Sequence, residues 1–199
     1  MSIEELYEIL LSEKPSYNIL NNEKKIFELI PELKNCRGFN QNNEWHIYDV
    51  YEHILHVVDS VPANIVLRMA SLFHDIGKPN SYTEDENKIG HFYGHWDESK
   101  KIFDDFALKH NLDPTMSSLI SSLIYYHDIN ISKLSNEELN KLHETLGEQG
   151  IKMLFELKTA DLLAQNKKFH YILKDYEEQK DRLLLKYKRK WFLWIIKPI

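Results

Sequence analysis

Residues 72–95 read LFHDIGKPNSYTEDENKIGHFYGH, which sets His74 beside Asp75 and supplies His91 and His95 shortly afterwards. Imidazole and carboxylate groups at this density are the donor set of a borderline or hard divalent cation such as Mn, Fe, Ni, Zn or Mg. The same residues on a solvated loop would be ordinary surface side chains. Which reading applies depends on the elements that carry them.

A helix is expected over residues 49–60, with Val50, Ile54, Val57, Val58 and Val61 as its apolar stripe. His53 lies inside that stripe, three residues from Val50 and four from Val57. The next helix is expected over 62–77, ended by Gly77 and Pro79 as a helix-stop pair. Val66, Met69, Ala70 and Phe73 make its stripe, and His74 extends it with Asp75 adjoining. In a helix over 115–127, Ile120, Leu123 and Ile124 lead to His127, and in one over 148–166 Asp161 interrupts the burial-prone TADLLA. Four helices thus each turn a His or Asp toward the core. Any one of these alone is more often a hydrogen-bonded core histidine, a helix cap or an ion pair. Together they are harder to accommodate, because a buried carboxylate without a partner costs several kcal/mol. A divalent cation is the simplest common partner, and one ion or two both fit.

The 199 residues are 43% apolar and 28% charged with a net charge of −6, as expected of a globular chain with a real core. No apolar run is long enough for a bilayer. The opening MSIEELYEILLSEK is acidic and amphipathic, unlike a signal peptide. A single cysteine, Cys36, offers no internal disulfide, so a cytoplasmic setting without membrane contact is expected. Scarce glycine, proline and strand-like alternation imply an all-α fold. Further helices are expected at 2–12, capped by Ser2 with Glu5, and at 23–30, stopped by Pro31. Others are expected at 97–110, 136–146 and 168–190, with 31–46 a long loop and 80–94 a loop or weak hairpin. Ten Lys/Arg against four Asp/Glu from Asn166 onward leave the preceding part at about −12. An acidic body argues against a broad nucleic-acid footprint, although it is compatible with a small nucleotide or an RNA end.

The segments CRGFNQNNEWHIYDVYEHIL, LRMASLFHDIGKP, GHFYGH and TADLLAQN resemble, in order and spacing, the HD domain of bacterial tRNA nucleotidyltransferases, the CCA-adding enzymes. His53, His74-Asp75 and Asp161 match the H…HD…D signature of the wider HD phosphohydrolase superfamily. The likeness covers roughly 31–166, flanked by N-terminal helices at 1–30 and a basic helix and tail at 167–199, all read as one domain. No Gly-rich nucleotidyltransferase head with paired aspartates is visible, so nucleotide addition to tRNA is not expected. The tail KYKRKWFLWIIKPI is unlike the region after the HD domain in those enzymes, and is read as packing back on the body or as a partner surface.

The resemblance implies an HD-type helical bundle with the metal site in its core. His53, His74, Asp75 and Asp161 would form the primary site, with Asp75 bridging if a second ion binds. His91, His95 and His127 would complete that second site or contact phosphate, and Lys78 would face phosphoryl oxygens or act as a helix-terminal cation. Asp75, Lys78, His95 and His127 are the expected catalytic groups. The activity implied is metal-dependent hydrolysis of nucleotide or RNA-end phosphoesters, of the 2′,3′-cyclic phosphodiesterase, 2′-nucleotidase or phosphatase type. A non-catalytic tRNA- or nucleotide-binding module and a nucleoside-polyphosphate hydrolase are the alternatives. Asp49 is expected as an N-cap that also orients His53, His46 as a pocket residue, and Arg68 as a phosphate contact or a surface charge. Trp45 and Tyr93 could stack a base or pack in the core. His56, His110, His143 and His170 are read as structural or exposed.

Overall fold

The computed structural model describes residues 1–195, with side chains through residue 185, so the tail reading lies outside the described side chains. Among the described residues the chain is all-α apart from one hairpin of two two-residue strands, Thr83–Glu84 and Gly90–His91. Helix α6 (Ile65–Phe73) forms the middle, because its side chains from Leu67 to Phe73 are buried on every face. An all-round buried helix needs neighbours on all sides, and α6 packs against α1 (Ile3–Leu11), α5 (Val50–Ser60), α8 (His95–Lys109), α9 (Pro114–Tyr126) and α10 (Asn136–Leu163). Helix α5 lies between α6 and α10, while α9 joins α8 to α10. The short helices α2 (Pro15–Asn21), α3 (Glu23–Leu29) and α4 (Pro31–Cys36) precede α5, and α11 (Leu173–Ile195) packs on α10. Among the described residues no helix is long and apolar enough to cross a membrane.

Local chemistry accounts for the boundaries. The capping boxes Ser2/Glu5 and Ser135/Glu138 open α1 and α10, and Asp49 caps α5 by accepting from Glu52 N at 2.7 Å. The expected helix over 62–77 is corrected at both ends. It starts at Ile65 because the Asn64 side chain accepts from Val66 N and Leu67 N, and its last residue is Phe73. Pro79 does not stop a helix but sits in the first turn of α7 (Lys78–Ser81), where a missing N–H is tolerated. Pro31 likewise opens α4 inside the segment expected to be loop, and Pro15 opens α2, which the sequence pattern did not reveal. The helices expected at 136–146 and 148–166 form one element bent at Gly147, whose φ of +61° suits glycine. A 3-10 segment (Lys167–Ile172) precedes α11 where a continuous helix was expected.

Arg68 is neither a phosphate contact nor a surface charge. It is buried, and its guanidinium donates to the carbonyls of Leu10 (2.6 Å), Ser12 (3.2 Å), Val61 and Pro62 (both 3.3 Å). It therefore ties the end of α1 to α6 and satisfies carbonyls left free at helix ends.

Gly77 brings α7 against α8. A Cβ there would meet Ser99 N at 2.5 Å, Glu98 Cβ at 2.7 Å and His95 O at 2.8 Å. These are backbone or Cβ atoms, so neither side can yield cheaply. Gly77→Ala should therefore cost at least about 1–3 kcal/mol, as overpacking does. Chemical denaturation would show it as a lower midpoint with an unchanged slope, and an unchanged midpoint would refute the close approach.

Candidate metal centre

Five elements deliver their ends or buried faces to one point. His53 comes from the buried face of α5, and His74 and Asp75 from the carboxyl end of α6. His95 is the first residue of α8, His127 comes directly after the last residue of α9, and Asp161 lies in the last turns of α10. His53, His74, Asp75, His95 and His127 are all buried, and the Asp161 side chain is 13% exposed. Gly94 precedes His95 with φ +78°, a left-handed turn that glycine accommodates, and this turns the chain into α8.

Asp75 is the hub. Its Oδ2 lies 3.3 Å from His53 Nε2 and 3.2 Å from His74 Nε2, and its Oδ1 lies 3.2 Å from His95 Nε2 and 3.5 Å from His127 Nε2. Asp161 Oδ1 stands 3.0 Å from His53 Nε2 and accepts from Gln165 Nε2 at 3.1 Å. Two groups of donor atoms result, each compact enough to hold a cation: His53, His74, Asp75 and Asp161, and then Asp75, His95 and His127. Each Asp75 oxygen faces a different group.

The donors fit a cation on their own chemistry. His74, His95 and His127 each place Nδ1 on the backbone carbonyl three residues earlier, at 2.7, 2.8 and 2.6 Å. A carbonyl can only accept, so that bond puts a proton on Nδ1, and a ring with no second proton then presents Nε2 as a lone pair. The Nε2 atoms then point at carboxylate oxygens and at one another, 3.4 Å apart for His53 and His74 and 3.2 Å for His95 and His127. Neither oxygen of Asp75 receives a well-directed hydrogen bond, and His53 Nδ1 also has none. Lone pairs and carboxylate oxygens converging at buried side chains repel unless a positive charge lies among them.

The electrostatics arise from burial and these neighbours. Burial alone would raise the Asp75 carboxyl, but the neighbouring His74 and Lys78, with His127 and His53 beside them, hold it well below the usual carboxylate range. Asp161 behaves alike, with burial outweighed by the hydrogen bond and charge of His53. Burial works to lower His53, yet Asp161 and Asp75 bring it above its ordinary value. His127 goes down, mainly by burial.

Lys78 is buried, with Nζ 2.6 Å from Asp75 Oδ2, and it donates to Gln41 Oε1 at 2.8 Å and His46 Nε2 at 3.1 Å. Burial and the charges of Lys78 and His53 push His46 down to about 2, so its ring stays neutral and accepts from the lysine. His91 is the one expected ligand that stands apart from both groups. It lies on the hairpin strand Gly90–His91, its Nε2 3.3 Å from Asp85 Oδ2, and contributes to the cavity wall instead. Asp49 does not orient His53, since its two oxygens serve Glu52 N and Gly38 N. Gln41, Gln165 and Lys158 were not anticipated. Lys158 is buried, its pKa lowered by burial to about 8, and it donates to the carbonyls of His127 (2.5 Å) and Ile129 (3.2 Å) at the end of α9. Its signal was present, three residues before Asp161 on the same helix face.

A cavity of about 520 Å³ opens onto these groups, lined among others by His46, Asp75, Lys78, His95, His127 and Asp161. Residues 44–187 match the family model described as HD domain. Over 100 residues the chain is 32% identical to an A-adding tRNA nucleotidyltransferase of Deinococcus radiodurans, covering 46% of this chain and 23% of that protein. Over 107 residues it is 31% identical to a multifunctional CCA protein of Cupriavidus metallidurans, covering 51% and 25%. The matched portion thus spans about a quarter of the length of these curated relatives.

If the converging donors hold a cation, the folded protein should be stabilised by divalent metal, by about 2.7 kcal/mol at a hundred times Kd. Thermal melts with Mn, Ni or Zn should show a rise in Tm that Asp75→Asn abolishes and His91→Ala retains. A rise that survives in Asp75→Asn would place the ion elsewhere.

Proposed function

The chain belongs to the HD domain family, and we propose that it is a metal-dependent phosphohydrolase acting on nucleotide or RNA-end phosphoesters, of the 2′,3′-cyclic phosphodiesterase, 2′-nucleotidase or phosphatase type. HD domains are in general metal-dependent hydrolases, and a His/Asp cluster that fits a divalent ion is present here. The observation that carries the reading is Asp75, a buried carboxylate with one oxygen turned to each of two donor groups. One of the relatives is named a tRNA nucleotidyltransferase, which supports an RNA-end phosphoester as the substrate class.

In this reading His53, His74, Asp75 and Asp161 hold one ion, and Asp75 with His95 and His127 hold a second. The mixed imidazole and carboxylate donors suit Mn, Ni, Fe, Mg or Zn. A divalent ion bound there supplies Lewis acidity toward a phosphoryl oxygen and brings the pKa of water toward about 7. The chain's own groups prepare for that chemistry. The backbone carbonyls of Ser71, Phe92 and Ile124 fix the rings of His74, His95 and His127 so that Nε2 faces inward. Lys78 helps keep Asp75 ionised and puts a positive charge at the cavity wall. That charge favours an anionic ligand by its field, although its three donors already face Asp75, Gln41 and His46. Gln165 holds one Asp161 oxygen, and Gln41 and His46 hold Lys78. Burial of these side chains strengthens every one of these interactions. No serine or cysteine nucleophile is required, which agrees with Cys36 being buried away from the cavity.

Purified protein should release product from 2′,3′-cyclic AMP only when a divalent ion is supplied, and chelator should stop it. Asp75→Ala should lower turnover by more than the about 10- to 100-fold caused by loss of a ligand's hydrogen-bond partner. Turnover in chelator, or in Asp75→Ala at the wild-type rate, would refute the mechanism.

A further inference from the structure

The cavity above the donor groups has an aromatic rim that ion binding does not use. Trp45 and Tyr93 line it and are 38% and 76% exposed, with Ile89 beside them at 43%. Single exposed apolar residues are ordinary on a protein surface. These two differ because each is braced from behind by a second ring. Trp45 lies on Phe169 with ring centroids 3.5 Å apart and planes within 13°, and Tyr93 lies on His91 at 5.3 Å and 9°. The braces are themselves fixed. Asn166 N donates to Trp45 O at 2.8 Å and Asn166 Nδ2 to Glu44 O at 3.0 Å, which ties the tryptophan loop to the segment carrying Phe169. Asp85 faces the His91 ring at 3.3 Å. Both platforms are therefore held before any ligand arrives, which lowers the ordering cost of binding.

A ligand of this cavity must present an anionic group to the floor and a flat apolar group to the rim. Asp128 and Gln165 also line it, and they supply a carboxylate and a carboxamide for ring edges and hydroxyls. A nucleotide has all of these features in one small molecule. We propose that Trp45 and Tyr93 bind the nucleobase of the substrate by stacking, with Phe169 and His91 as the rings that hold them in place. The proposal rests on the phosphohydrolase reading and adds the part of the substrate recognised beyond phosphate. Since every base has a π-face, the platforms should accept several bases and discriminate chiefly against substrates with none.

The test pairs turnover with binding on the metal-loaded full chain. Tyr93→Ala and Trp45→Ala should each raise KM for 2′,3′-cyclic AMP about ten-fold while kcat changes less than about two-fold, the effect of one lost stack. Trp45→Phe should restore most of the loss. Inhibition by ribose 2-phosphate, which carries phosphate without a base, should be the same in all variants. An unchanged KM in both alanine variants of an active enzyme overturns the platform and leaves the hydrolase reading standing, and so does an equal loss toward ribose 2-phosphate. If the wild type turns over no phosphoester, the hydrolase reading fails. The platform is then decided by equilibrium binding of adenosine 2′-phosphate, which must exceed that of ribose 2-phosphate and weaken in Tyr93→Ala. Equal binding of the two compounds overturns it.

Discussion

A carboxylate removed from water is tolerated only if its charge is met, and Asp75 is 1% exposed at the meeting point of five helices. Lys78 meets part of that charge from three residues away, and four imidazoles surround the rest. Much of the surrounding architecture answers to this one group. The chain must turn at Gly77 to bring Lys78 back onto Asp75 and to let α7 approach α8. The loop before α5 must deliver Gln41 and His46 to hold the lysine, and the hairpin braces that loop through Gly90 N, which donates to Asn42 O at 2.9 Å. A buried ion pair of this kind is poor support for stability on its own terms. Its persistence here makes chemical sense as the fixed half of a cation centre.

The histidines solve two problems with one ring. A helix end leaves carbonyls without intrahelical partners. His74 and His127 stand just past the ends of α6 and α9 and satisfy one carbonyl each through Nδ1. The same bond selects the tautomer that presents Nε2 to the centre. Fold and ligand geometry are thus set by a single hydrogen bond per ring. Lys158 extends the device by holding the His127 carbonyl from α10, so the element bearing Asp161 also fixes the end of the element bearing His127.

The helical class and the inward positions of His53, His74, Asp75, His127 and, less deeply, Asp161 were legible because polar residues at core spacing on apolar helices are rare and costly. Asp49 and Ser2 were legible as caps from local chemistry alone. Two prolines misled. Pro31 and Pro79 were read only as helix stops, yet each sits in a first helical turn, and residue type alone does not separate a proline that starts a helix from one that ends it. Arg68 misled in another way, since nothing nearby in sequence announces that Leu10 and Ser12 will bring carbonyls to it. His91 shares its segment with His95 and looked equivalent, but the hairpin turns it to Asp85 while Gly94 turns His95 inward. Gln41 and Gln165 act through contacts that only the folded chain creates, although Gln165 lies one helical turn beyond Asp161.

The central claim is that Asp75 joins two groups of ligands around divalent metal. The most direct measurement is anomalous X-ray diffraction from crystals of the protein grown or soaked with Mn or Ni. The account predicts an anomalous peak bounded by His53, His74, Asp75 and Asp161, with any second peak between Asp75, His95 and His127. Full occupancy of ions elsewhere on the chain, with no peak beside Asp75, would contradict it.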